Sequence, residues 1–173
     1  MHTPPSKPPA RPCDVTLRDV QPADLPALYA FESDPAWRAM AMVKPRTFAA
    51  FEAIWMKIIQ DRAAGAHVDT GLAQKVILAD GDLCGTIGCR LVDTRLTIGY
   101  GLSRAYWGRG IASRALGLLL AEVPQRPLYA TAAVSNIASI RVMMRHGFVI
   151  TERRIAMETE RLLACEEVSL VLG

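Results

Sequence analysis

The sequence predicts a mixed α/β fold of the α+β kind. It is expected to be one domain with a mostly antiparallel sheet of about seven strands, a central parallel pair, and about four flanking helices. Three observations predict this. A chain of 173 residues that is 51% hydrophobic suits a single core, since a domain of this size buries roughly 70% of its unfolded surface. Three strand-like runs between residues 75 and 102, divided by short turn signals, read as an antiparallel meander. The strand, helix, strand, helix order that follows makes neighbouring strands locally parallel.

The elements follow in order. Val15 to Arg18 is a first strand. Pro22-Ala23-Asp24 starts a helix whose Leu25, Leu28 and Tyr29 share a face, and Asp34-Pro35 stops it. Thr47 is the N-cap of the next helix, where Phe48, Phe51, Trp55 and Ile58 recur at helical spacing as a core stripe. Gly65 to Gly71 is a polar loop. Lys75 to Ala79 and Leu83 to Leu91 are strands joined by an Asp80-Gly81-Asp82 hairpin turn, and Val92-Asp93-Thr94 turns the chain into Leu96 to Leu102. Arg109 to Val123 is helical and apolar on most sides, which predicts a buried helix. Pro127 to Val134 is a strand, Ser135 to His146 a helix ended by Gly147, and Phe148 to Met157 and Glu166 to Leu172 are the last strands. No repeat or second boundary shows, so residues 14–173 are expected to be the domain. Residues 1–13, with Pro4, Pro5, Pro8, Pro9 and Pro12, are expected to be a disordered lead-in.

Composition limits the function. Twenty Lys and Arg against 17 Asp and Glu give +3, and no basic stripe carries interleaved aromatics, so no nucleic-acid partner is expected. Cys13, Cys84, Cys89 and Cys165 form no CxxC pair and have no His at metal spacing. No metal is expected, and reduced thiols in a cytoplasm are the simplest reading, with no secretory leader. No apolar run approaches the ~20 residues that span a bilayer, so no membrane partner is expected.

The chemistry concentrates in two segments. In Tyr106-Trp107-Gly108-Arg109-Gly110-Ile111-Ala112-Ser113 two glycines end a strand-like run and open an apolar helix. Such a turn lets helix N-terminal amides reach a phosphate unobstructed, though a turn that binds nothing has the same pattern. Arg109 is a phosphate contact or a solvated charge. The P-loop and the dinucleotide fingerprint both fail here. The second segment, Ser135-Asn136-Ile137-Ala138-Ser139-Ile140-Arg141, follows the next strand and leads to His146-Gly147-Phe148. Asn136 either bonds a cofactor or simply caps the helix, a role open to Ser135 as well, and Ser139, which shares its side by the i, i+3 rule, is a site residue or an ordinary helical serine.

The run from Ile98 to Phe148 resembles the GNAT superfamily of acyl-CoA-dependent N-acetyltransferases, particularly the branch with the ribosomal-protein alanine N-acetyltransferases. The carrying residues are Trp107-Gly108-Arg109-Gly110-Ile111-Ala112, Asn136 and Gly147-Phe148. The resemblance implies acetyl-CoA as cofactor and direct acetyl transfer to a primary amine, a small molecule or a protein N-terminus, in a ternary complex. It implies that Leu102, Ser103, Trp107, Gly108, Arg109, Gly110, Ile111, Ala112, Ser113, Asn136 and Ser139 hold the cofactor. By the same resemblance the Leu102 amide is the oxyanion donor and Ser139 hydrogen-bonds the departing thiolate.

Two departures bear on mechanism. Thr97 stands where many members have a glutamate, and Met143 where many have a tyrosine. Deprotonating a Lys-type amine of pKa ~10.4 costs roughly 4.6 kcal/mol at pH 7, against about 1 kcal/mol for an α-amine near 7.8. A weak or water-mediated base therefore serves an α-amine. Glu32, Asp93, Glu152 and His67 are the remaining candidate bases, each otherwise a solvated surface group, and His146 is expected to favour a helix C-terminus as a cation. The alternative is a noncatalytic acyl-CoA-binding or regulatory protein. Monomer and homodimer are both open.

Overall fold

The computed structural model describes residues 13–65 and 73–173. Residues 1–12 of the expected lead-in, and residues 66–72 with His67 and most of the expected Gly65 to Gly71 loop, lie outside the described residues. Among the described residues, seven strands form one sheet: β1 (Val15–Asp19), β2 (Ala73–Ala79), β3 (Asp82–Val92), β4 (Arg95–Leu102), β5 (Leu128–Ala133), β6 (Val149–Ala156) and β7 (Cys165–Leu172). Their order is β1-β2-β3-β4-β5-β7-β6, antiparallel except for β4 and β5. Those two are parallel and meet at Thr97 and Tyr129, beyond which they part.

The hairpins follow from turn chemistry. Asp80 and Gly81 (φ 54° and 89°) and Asp93 and Thr94 (φ 46° and 68°) each put two left-handed residues between paired strands. This is the geometry whose twist matches that of the flanking strands.

Among the described residues there are five α-helices: α1 (Leu25–Ser33), α2 (Pro35–Ala41), α3 (Phe48–Ala63), α4 (Ile111–Glu122) and α5 (Ile137–Arg145). The expected four become five because Asp34-Pro35 does more than stop a helix. Asp34 accepts from the Ala36 amide at 2.7 Å as an N-cap while Pro35 takes the first helical position, so the pair that ends α1 also starts α2. The expected start at Pro22 is a single 3-10 turn before α1.

Val76 and Ile77 alternate on β2 and so point to opposite faces, each into its own core. Val76 packs with Leu25, Leu28 and Phe51 of α1 and α3. Ile77 belongs with Leu116, Leu128, Phe148 and Leu170 under α4 and α5. Burial on α4 is one-sided, through Ile111, Ala115, Leu116 and Leu119, while Leu118 is 40% exposed. The apolar excess predicted a more enclosed helix than the sheet, which covers a single face, provides.

Candidate active site

The parting of β4 from β5 leaves main-chain groups without a strand partner. The Ser103 amide donates to the Cys84 carbonyl at 2.8 Å, which sets the phase of the β3–β4 ladder. In an antiparallel ladder successive residues turn their main-chain groups to opposite sides, so Tyr100 and Leu102 turn theirs toward β5. Since β5 meets β4 at Thr97, those groups face an open cleft. The Leu102 carbonyl is taken by the Trp107 indole, which donates to it at 2.8 Å. The Leu102 amide is left at the free edge.

Beyond the cleft the glycine turn opens α4. Gly108 (φ 72°) and Gly110 (φ 71°) are left-handed, and a Cβ on either would meet nothing within 4 Å. Gly110 is the N-cap of α4, and no side chain caps this helix. The first bond into it is the Arg114 amide to the Gly110 carbonyl, so the amides of Ile111, Ala112 and Ser113 are free to meet a ligand. A Cβ-free space in front of unpaired amides at the positive end of a dipole fits a diphosphate.

Cleft and turn are continuous as one groove of ≈ 390 Å³. Leu102, Trp107, Gly108, Gly110, Ile111 and Ala112 line it, as do Ser113, Asn136 and Ser139 from the two helices. Ser103 and Arg109 are not part of its wall. The Arg109 guanidinium lies over the Tyr106 ring, 5.2 Å from its centroid, and its carbonyl accepts from Arg114 at 3.0 Å. Among the described residues, the charged groups of the wall are Arg141 and Arg145 of α5, with no carboxylate, so the groove suits an anionic ligand.

Of the two readings the sequence left open for Asn136, the structure shows the cap. Its Oδ1 accepts from the Ser139 amide at 3.1 Å, capping α5. Its Nδ2 donates to the Met40 carbonyl at 3.3 Å, tying α5 to the end of α2, and a second amide hydrogen remains. Ser139 Oγ lies 3.0 Å from the Tyr100 hydroxyl. Burial pushes the Tyr100 phenol above its ordinary range, offset in part by that hydrogen bond. His146, at the C-terminal end of α5, meets Ser113 Oγ at 3.0 Å through Nε2.

Sequence reasoning gave no individual role to Tyr100, Trp37, Met40, Arg141 or Arg145, which line the groove. A Cβ on Gly101 would approach the Trp37 indole to 2.7 Å, so this glycine lets α2 sit over the cleft. The signal for Trp37 was present, because Asp-Pro is a helix-starting pair as well as a helix stop. Arg141 and Arg145 were legible as an i, i+4 pair.

The candidate bases are placed elsewhere or engaged. Glu32 is held by Arg46 Nε (2.8 Å) and Nη2 (2.8 Å) and by Arg161 Nη2 (2.6 Å), which occupies its carboxylate as a structural clamp. Asp93 sits in the β3–β4 turn, and Glu152 is exposed on the edge strand β6. Thr97 Oγ1 donates to the Arg95 carbonyl, and Met143 is buried in the core at 2% exposure. Neither offers a proton-transfer group.

The acetyltransferase (GNAT) domain profile matches residues 14–149. The chain belongs to the GNAT acetyltransferase family. Solved structures agree in fold. Mycobacterium smegmatis RimJ in complex with CoA-disulfide is similar at 22% identity and a TM-score of 0.70, over 91% of this chain and 81% of that one. The Salmonella typhimurium acetyltransferase that modifies the N-terminal serine of ribosomal protein L7/L12 is similar at 18% identity and 0.71, over 91% and 92%. The Vibrio cholerae spermidine N-acetyltransferase, with CoA and spermine, is similar at 17% identity and 0.71, over 91% and 93%. No curated protein sequence matches the chain. This GNAT chain is thus an acyl-CoA-dependent N-acetyltransferase, and no helix among its described residues is long and apolar enough to cross a membrane.

Proposed function

We propose that this chain, as a single domain over residues 14–173, transfers an acetyl group from acetyl-CoA directly to a primary amine, an N-terminal α-amine of a protein or a small-molecule amine of similar basicity. The observation that carries the reading is the continuity of one carboxylate-free groove from the unpaired α4 amides to the free edge of β4 at Leu102. Bound CoA in several solved structures of the same fold supports the choice of cofactor.

The residues present fit that group. The amides of Ile111, Ala112 and Ser113 hold its diphosphate in the space left by Gly108 and Gly110, with Arg141 and Arg145 adding positive charge. When bound, acetyl-CoA supplies the acyl group as a reactive thioester. The Leu102 amide polarises the acyl carbonyl, a role for which one preorganised donor contributes about 2.7–4 kcal/mol. Ser139 donates to the departing sulfur. Trp37 and Met40 of α2 close the acceptor side, where an amine aligned in the groove gains from proximity alone. Without a carboxylate in the wall, an amine that is partly neutral at pH 7 is favoured over a Lys-type amine by the ~3.6 kcal/mol difference in deprotonation cost.

The test is calorimetry with coenzyme A, followed by thiol release from acetyl-CoA with peptides bearing free α-amines and with lysine-type amines. Saturable CoA binding and faster release with α-amines are expected. CoA binding with no turnover on any amine would instead support a noncatalytic acyl-CoA-binding role, the reading that Thr97 and Met143 favour.

A further inference from the structure

We propose that Tyr100 is a positioning residue: its phenol donates to Ser139 Oγ and so turns the serine hydroxyl hydrogen into the groove, beside the free edge of β4. This rests on the reading of Ser139 as the group that faces the departing thiolate.

Two hydroxyl hydrogens compete for the acceptors between Tyr100 and Ser139. The Tyr100 hydroxyl has two partners, Ser139 Oγ at 3.0 Å and the Ser139 carbonyl at 3.3 Å. If its hydrogen goes to the carbonyl, the serine hydrogen goes to the tyrosine oxygen and the groove receives no donor. If it goes to the nearer Oγ, the serine hydrogen is released. A helical serine ordinarily disposes of that hydrogen on the carbonyl one turn back. Among the described residues Ser139 Oγ bonds no main-chain carbonyl, its partner being the Tyr100 hydroxyl, and Ser139 lines the groove. Tyr100 is fixed by β4, held to β3 through the flanking Gly99 and Gly101 opposite Gly88 and Thr86, so the donor is carried on the sheet and not on a mobile loop. Burial keeps the phenol protonated, and hence a donor, well above neutral pH.

In the transfer the bond from the amine nitrogen to the acyl carbon forms and the carbon–sulfur bond breaks. The electron pair stays on sulfur, and the surplus amine proton leaves to water. Tyr100 and Ser139 keep their own hydrogens throughout. The chain from phenol to hydroxyl to sulfur stabilises the developing negative charge, each bond polarising the next.

The experiment is a double-mutant cycle on the full chain, measuring steady-state acetyl transfer for Tyr100→Phe, Ser139→Ala and the double variant. Alongside it, the thiol of bound coenzyme A is titrated by its thiolate absorbance. Ser139→Ala is expected to lower kcat about 10–100-fold, the range for losing a hydrogen bond to a charged group. Tyr100→Phe is expected to lower kcat about 3–10-fold with the amine KM unchanged. The double variant should be no worse than Ser139→Ala, and both single variants should raise the pKa of the bound thiol. Multiplicative losses in the double variant, or an unmoved thiol titration in Tyr100→Phe, overturn the role of Tyr100 and leave that of Ser139 standing. Full kcat in Ser139→Ala overturns both. Because the titration uses CoA-saturated protein, it reads the same answer even if Tyr100→Phe lowers the melting point.

Discussion

Replacing Glu32 by Gln tests how the acceptor side of the groove is held. Both Glu32 oxygens are engaged, Oε1 by Arg46 and Arg161 and Oε2 by Arg46, and its side chain is 12% exposed. Around it, residues 42–46 are tied to the β6–β7 connection. The Lys44 amide donates to the Arg161 carbonyl, the Leu163 amide to the Met42 carbonyl, and Arg161 Nη1 to the Lys44 carbonyl. This clamp anchors the end of α2, and with it Trp37 and Met40. Glutamine removes the charge between two guanidinium groups and turns one acceptor into a donor facing donors. Breaking a buried pair costs about 3–5 kcal/mol, and the partial exposure of Arg161 reduces this to about 2–4 kcal/mol. At roughly 2–4 °C per kcal/mol for a chain of this size, the melting midpoint should fall by about 4–16 °C. Calorimetry reads that loss. Acetyl transfer should show a raised amine KM with a pH–rate profile of unchanged shape. An unshifted midpoint would refute the clamp, and loss of one limb of the pH profile would make Glu32 the base after all.

Gly110→Ala forces an L side chain into a left-handed backbone, costing about 1–2 kcal/mol of stability, and fills space in front of the α4 amides; calorimetry should show CoA affinity falling about tenfold or more, and an unchanged Kd would contradict the cradle. The Cys84 thiol is pushed up to about 11 by burial, so roughly one molecule in a thousand carries the thiolate at pH 8, and a disulfide reagent at that pH should leave Cys84 unmodified in the native protein while reacting after denaturation. Asp24 is held below the usual carboxylate range by its two hydrogen bonds from Arg18, against the opposing effect of burial. That stability is fully present above the unfolded aspartate value of ~3.9 and is lost as pH falls through the lower folded value. Asp24→Asn should therefore cost about 1 kcal/mol at pH 7, discounted for the exposure of Arg18, and flatten the acid limb of a stability–pH curve measured by denaturant unfolding.

Local chemistry made much of this protein legible from its sequence. Two-residue turns fixed the meander, because Asp80-Gly81 and Asp93-Thr94 adopt left-handed backbones that match strand twist. The glycine at 147 marked where α5 ends, while the starts of α4 and α5 lie at Ile111 and Ile137, two residues beyond the expected Arg109 and Ser135, because Gly110 is left-handed and Asn136 is the cap. What the tertiary structure alone decided depends on residues far apart in the chain. Glu32 looked like a free carboxylate until Arg46 and Arg161, the second of them 129 positions away, were brought against it. Tyr100 was one position on the strand Leu96 to Leu102 until α5 delivered Ser139 to its hydroxyl. Trp37 belonged to no element until α2 was seen lying over Gly101. Caps, turns and periodicity are short-range and written in consecutive residues, whereas partners across a groove are chosen by how the sheet twists and where it parts.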